Sequence, residues 1–294
     1  MDGVILIDKP EGMTSFSLAN RVKRLTGAKK SGHAGTLDPL ATGVMAVMLG
    51  NATKLSEYLT SEDKRYTATI RFGLSSDTMD SEGEIIAERE CNFTKEMLLS
   101  AMGKFLGRIT QVPPKYSAIK VNGRKLYSYA RAGQEVEIPS REVEIYVFDL
   151  ISFDEEKYEA VVDVFCSKGT YIRSLINDLG EMLGCGGIMT ALRRTKSGDF
   201  EIENCITLSM LEEGGEEVIS RIIPCDEVIS HMPRADVSES DKKAFTNGNP
   251  IPVGSVAFCG EGELYRVYCE GVFYAVGRTE EGYLKIVKMI KVTG

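Results

Sequence analysis

Residues 33–45 read HAGTLDPLATGVM. One acid, Asp38, stands here among Gly, Ala, Thr, Leu and Pro, with Gly35 before it and Gly43 after it. Pro39 fixes its own φ and turns Asp38 away from helical backbone. The glycines allow a tight turn or the close approach of another molecule. From Val44 to Leu49 the chain is continuously apolar, as in a buried strand. A lone carboxylate is therefore held on a stiff loop that leads into the core. Asp-Pro is also a common turn opener, so the rest of the chain must decide what this acid does.

Upstream, Val4 to Ile7 reads as a short buried strand. Thr14 or Ser15 can cap a helix with Leu18, Val22 and Leu25 on its apolar face, ended by Gly27. A basic loop, Lys29 to Gly32, returns the chain to His33. Downstream, Thr53 is expected to cap a short helix through Tyr58. Lys64 to Phe72 alternates cleanly, with Tyr66, Ala68, Ile70 and Phe72 on one face, and so predicts a half-buried strand. A polar turn at Asp77–Asp80 precedes a strand near Glu84 to Ala87. A Thr94-capped helix should turn Met97, Leu98, Ala101 and Phe105 inward. Two strands follow, at 142–153 and 158–167. Thr170 is expected to cap a helix with Ile172, Leu175 or Ile176, and Leu179 inside. Lys168, Gly169 and Arg173 at its mouth suit an anion, either a phosphate or the Asp38 carboxylate. Arg173 on a core helix is expensive to bury without a partner. Gly186-Gly187 opens a further strand, with Leu192-Arg193-Arg194 near its end. After Pro233 short alternating strands suggest a small separate β-rich unit.

The 294 residues fit one large domain and a small one. No apolar run approaches a membrane span, and the start MDGVILIDKP is no signal peptide. The seven cysteines form no CxxC pair and there are two histidines, which leaves little for a disulfide framework or a zinc site. A cytoplasmic, metal-free protein is expected. The net charge of −8 argues against nucleic acid, but the charge is segregated. Residues 12–37 carry five Lys/Arg and no acid, and residues 97–134 carry seven and no acid. Between Glu201 and Asp241 eleven acids face two arginines. Basic stretches facing phosphates on an otherwise acidic protein would give this pattern. Within residues 104–131, tyrosines at 116, 127 and 129 interleave with the cations, which suits a looped or single-stranded RNA.

HAGTLDPLATG resembles the catalytic motif of the TruB family of pseudouridine synthases. The resemblance extends in family order through Lys9-Pro10, Tyr66, the turn Ser76-Asp77-Thr78-Met79-Asp80-Ser81-Glu82-Gly83, Pro113 to Lys120, Lys168 to Arg173, and Leu192 to Arg194. Ser76 departs from the family's Thr. The resemblance implies an α+β fold, with a mixed, mostly antiparallel sheet flanked by helices. It places a catalytic domain at 1–233, with the basic insertion at about 104–131, and a PUA-like RNA-binding domain at 234–294. It implies isomerisation of the T-loop uridine of tRNA (tRNA position 55), without cofactor or metal, by a monomer that grips the T-arm and elbow and needs no guide RNA.

On that resemblance Asp38 is the catalytic carboxylate, either adding covalently or taking a proton from the sugar. Arg173 would pair with it and keep it ionised. Tyr66 would stack on the uracil and is a candidate to remove the C5 proton. Tyr171 and Leu192 would wall the pocket, His33 would fill the gap left in the T-loop by an extruded base, and Lys9, Asp77 and Lys120 would meet the substrate. Three other readings stay open: an N-glycoside hydrolase pairing Asp38 with Asp77 or Asp80, a non-catalytic tRNA-binding folding chaperone, and a guide-RNA-dependent relative of the same family, which would need partner proteins and a guide.

Overall fold

Strands β1 (Gly3–Lys9) and β3 (Thr42–Leu49) show why their sequences are apolar without a break. Ile5, Ile7, Met45, Val47 and Leu49 enter one core, while Val4, Leu6, Ala46 and Met48 enter another on the opposite face. Side chains alternate along a strand, so a sheet covered on both faces needs apolar residues at every position. The computed structural model describes residues 1–290 except 61, 118, 122, 131 and 135, and describes no side chain at 120, 125, 130, 216 and 217.

Between these two strands lie α1 (Ser15–Thr26) and β2 (Ser31–Ala34); then follow α2 (Ser56–Thr60), β4 (Lys64–Phe72), β5 (Leu74–Ser76), β6 (Ile85–Glu88) and α3 (Lys95–Gly103). Next come β7 (Gly107–Gln111), the small hairpin β8 (Lys120–Val121) and β9 (Arg124–Lys125), α4 (Leu126–Ala130), β10 (Arg141–Asp154), β11 (Glu159–Cys166), α5 (Ile172–Met182) and β12 (Gly187–Ser197). The main sheet runs β14-β1-β3-β12-β4-β11-β10-β7, where β14 is Ile206–Thr207, and the short β13 (Phe200–Glu201) pairs with β12 beside this path. Within it β1–β14 and β12–β3 are parallel and the other pairs along that path are antiparallel. The fold is α+β, as expected.

Every strand of the second sheet lies after residue 233. Its strands run in the order β16 (Ile251–Pro252), β20 (Tyr283–Met289), β19 (Val272–Glu280), β18 (Leu264–Cys269), β15 (Arg234–Val237) and β17 (Val256–Cys259). Ala235, Val237, Phe245, Ile251, Val267 and Leu284 give it a core of its own. Tyr268, Phe273, Val276 and Ile290 instead join Val4, Leu6, Met48 and Leu55 behind the main sheet. The β-rich unit is thus seated on the first sheet rather than held at a distance.

Several local expectations need correction. Thr53 does not cap a helix; it lies inside a 3-10 turn, Gly50–Leu55, and its hydroxyl donates to Gly50 O at 2.8 Å. Of the two candidate caps of α1, Thr14 is the one used, as the expectation allowed, and Ser15 is freed for another task. Met97 is half exposed, while Leu98, Ala101 and Met102 face the core. Thr170 does not cap α5; Tyr171 occupies the cap position, and the Thr170 hydroxyl donates to Ser167 O. His33 sits on β2, and Leu192–Arg194 lies mid-strand in β12 rather than near its end. The Asn-Gly pair at 122–123, a hairpin-turn signal in sequence, includes a residue outside those described. Among the described residues no helix is long and apolar enough to cross a membrane.

Candidate active site

The loop from Gly35 to Ala41 is held from inside by two buried cations and one hydroxyl. Lys9 is wholly buried and its ammonium donates to Pro10 O (2.9 Å), Pro39 O (3.1 Å) and Ala41 O (2.5 Å). Burial lowers its pKa to about 8. Lys9 was expected at the substrate; with its three donors on loop carbonyls it is a scaffold for the loop instead. Arg194, also buried, ties the two stems together through Val44 O (2.8 Å) and Gly35 O (3.0 Å). The Ser15 hydroxyl accepts from Leu37 N and donates to Leu37 O, each at 2.8 Å. Gly43 has φ of 101°, and a Cβ there would stand 2.2 Å from Arg194 O, so the loop can meet β12 only through glycine. A backbone gripped at this many points fixes where Asp38 can point.

Arg173 comes to the same place from the first turn of α5. Its guanidinium lies 3.0 Å from Asp38 and 3.3 Å from Asp80, and donates to Thr78 O and Tyr116 O, both at 3.0 Å. The Asp38 side chain is 35% exposed, while Arg173 and Asp80 are 7% and 4% exposed. Burial pushes the Asp38 carboxyl above the usual range; Arg173 opposes this, and the Asp80 charge adds to it. Asp80 accepts from the Thr78 hydroxyl at 2.5 Å and from Glu82 N at 3.1 Å. The sequence reading placed Asp80 in a turn and as a rival's partner, not on this arginine.

Asp38 and Arg173 open on a cavity of about 350 Å³, also lined by Tyr66, Ser117, Tyr171, Leu192 and Arg194. That volume is ample for a nucleoside. Tyr66 is 8% exposed, and burial raises its phenol, so the ring is protonated at neutral pH. Tyr171 is fixed by Gln111 at the end of β7: Gln111 accepts from Tyr171 N at 2.7 Å and donates to Tyr171 O at 2.9 Å. Gln111 has no motif signal that reveals this clamp in sequence. His33 stands outside the cavity lining with Nε2 3.3 Å from the Thr36 hydroxyl, and burial lowers its pKa, favouring a neutral ring. Asp77 is not brought to Asp38. It accepts from Glu84 N at 2.9 Å and lines a separate cavity of about 930 Å³ between the β5–β6 hairpin and the insertion. The side chain of Lys120 and residue Arg131 lie outside the described residues.

Asp38 is the one carboxylate lining its cavity among the described residues. A single acid against a guanidinium, beside a buried aromatic ring, can add to or deprotonate a planar base or its sugar in a sheltered site. It does not form the pair of carboxylates flanking one bond that glycoside hydrolysis uses. Among the described residues no group of three or more His, Cys, Asp or Glu is placed to hold a metal ion.

Known proteins converge on the same region. Residues 23–172 match the model of the TruB family pseudouridylate synthase N-terminal domain, and residues 173–230 match the tRNA pseudouridylate synthase B C-terminal domain. The chain is 42% identical to tRNA pseudouridine synthase B of Aromatoleum aromaticum, over 95% of this chain and 89% of that one. It is 42% identical to the protein of the same name from Chromobacterium violaceum, over 99% and 95% of the two chains. Among solved structures, a chain from the crystal structure of a Cbf5-Nop10-Gar1 complex superposes with a TM-score of 0.74 at 27% identity, covering 98% of this chain and 85% of that one.

Proposed function

The chain belongs to the TruB family of pseudouridine synthases, and from that premise we propose that it converts the T-loop uridine of tRNA, position 55, to pseudouridine without a cofactor. The C1′–N1 bond of the uridine breaks, the uracil turns, and C5 bonds to C1′. The hydrogen displaced from C5 is balanced by one gained at N1, so the RNA keeps its mass. Asp38 acts at the sugar–base junction, by covalent addition or by proton abstraction. Arg173 keeps it ionised and aimed.

The observation that carries this reading is the 3.0 Å pairing of the cavity's carboxylate with Arg173, in a pocket that Tyr66 shares. A protonated Tyr66 ring suits stacking on the uracil more than service as an ionised base. The target base lies within a folded loop, so it must be extruded to enter, with His33 as a planar ring to occupy the gap. Tyr171 and Leu192 wall the pocket. The exposed cations Lys104, Arg108, Lys115 and Arg124 would grip the T-arm phosphates. The β-rich unit after residue 233 would act as a PUA-like module extending contact toward the acceptor end. The chain would work alone, as a monomer without a guide RNA.

The test is to incubate the purified chain with an unmodified T-arm stem-loop and map pseudouridine. Modification at the T-loop uridine with unchanged RNA mass is expected. Folded protein that leaves intact RNA unmodified would overturn the proposal, and released uracil would point to a hydrolase.

A further inference from the structure

Ser117 lines the Asp38 cavity, is 5% exposed, and its hydroxyl finds no hydrogen-bond partner among the described residues. No other buried side-chain oxygen or nitrogen among those residues is left in this state. Buried polar atoms are almost always paired, because an unmet donor or acceptor loses its water and gains nothing. The charged side chains at the cavity have partners. Arg173 meets Asp38 and two carbonyls, Arg194 meets Val44 O and Gly35 O, and Lys64 donates to Thr60 O and Glu62 O.

The position of Ser117 is fixed by its neighbours. The preceding carbonyl, Tyr116 O, takes a hydrogen bond from Arg173, and Ser117 O accepts from Tyr127 N at 3.2 Å. The hydroxyl is thus anchored beside the arginine that holds Asp38. It belongs to the segment that the sequence marks with Tyr116-Ser117-Ala118, but no role fell to it there.

We propose that Ser117 is a substrate-binding residue whose hydroxyl is paired only when an extruded uracil fills the cavity. This rests on the reading of the site given above. A uracil that enters between Tyr66 and Leu192 buries O2, N3–H and O4, and each needs a partner once water is gone. A serine hydroxyl can donate to either carbonyl or accept from N3–H.

Ser117→Ala tests this in three measurements: thermal stability of the free protein, turnover of the T-arm stem-loop, and affinity for that stem-loop against one with an abasic target nucleotide. Removing an orphaned hydroxyl is expected to leave the melting temperature unchanged or raise it. Turnover (kcat/KM) should fall about ten- to a hundredfold, and the preference for uridine over the abasic site should fall in parallel. Affinity for the abasic RNA should stay within twofold. A lower melting temperature would mean that the hydroxyl already holds the free protein together, and would overturn the proposal. So would turnover and uridine preference within twofold of the unaltered chain. If the unaltered chain neither turns over the RNA nor distinguishes the two, the reading of the site itself falls, and the role of Ser117 with it.

Discussion

The two faces of the main sheet both bury apolar residues, but only the cavity side buries ions among them. The side that carries the cavity buries Lys9, Lys64, Asp80, Arg173 and Arg194, each less than 10% exposed. The other side meets the C-terminal unit through an apolar layer of Val4, Leu6, Met48, Val228, Ile229, Phe273 and Val276, edged by the Lys54 ammonium on Met289 O and the Lys288–Glu57 ion pair, each at 2.8 Å. Buried ions are poor stabilisers, because desolvation takes back most of what their attraction gives. Packed aliphatic surface stabilises at about 25 cal/mol per Å². On the cavity side the buried ions fix geometry within the larger apolar core, which includes Ile7, Leu18, Met45, Ile70 and Leu175, while the far face adds a second apolar layer that holds no such ions. Variants that separate activity from stability are the way to test this division.

Asp38→Asn should produce the largest effect: loss of at least about 10³-fold in turnover. RNA affinity should change by less than about tenfold, since phosphate contacts dominate binding. The amide keeps the shape of the side chain, so the melting temperature should hold. Filter binding and single-turnover assays on one preparation separate the two quantities. Collapse of affinity together with rate would show that the acid shapes the RNA site rather than the chemistry.

Arg173→Met should follow, at about 10²- to 10³-fold in rate. Its pH profile carries the sharper information. Burial raises the Asp38 pKa and Arg173 opposes that rise, so removing the guanidinium lets the pKa climb further. On the proposed role the ionised form of Asp38 is the working one, so the acid limb of the rate profile should move to higher pH. Arg173→Lys keeps the charge and should move it less. An unmoved or downward-shifted limb in Arg173→Met would show that another group controls ionisation.

How much of this face the sequence revealed depends on the distance over which each interaction acts. The span Lys64–Phe72 was legible to the residue, because alternation is a local signal. The pairing of Asp38 with Arg173 was legible through motifs 135 residues apart and the cost of burying an unpartnered arginine. The work of Lys9, Arg194 and Gln111 was not. Each holds backbone carbonyls or amides far away in sequence, 150 residues away for Arg194 and Val44, and any residue offers the same carbonyl. Thr170 and Thr53 failed as caps for a related reason. Nearby carbonyls, Ser167 O and Gly50 O, took their hydroxyls first. The C-terminal unit announced its strands by alternation, but its seat on the main sheet could not be read from a stretch of chain that looks separate.

On the far face, Ile229→Ala should cost about 2–5 kcal/mol of stability, because Ile229 is fully buried in the layer between the two sheets. Well below the melting transition its turnover should stay within twofold. Chemical denaturation gives the first quantity and the stem-loop assay the second. A matching loss of activity at low temperature would mean that the C-terminal unit positions the site as well as supporting it.

The smallest effect should come from strand β4, which shows the same contrast within nine residues. Tyr66 points to the cavity while Arg65, on the other side of the strand, pairs with Asp163 of β11 at 2.7 Å. Arg65 is 49% exposed, and cross-strand ion pairs in water give at most about 1 kcal/mol, less in salt. Asp163→Asn should therefore lower stability by no more than that, with the difference shrinking as salt rises, and should leave turnover unchanged. A clear loss of turnover here would mean that the outward face of β4 sets the tilt of Tyr66 through the backbone. The two sides of the strand would then be mechanically coupled, and the division between an active and a supporting surface would have to be drawn around the strand rather than along it.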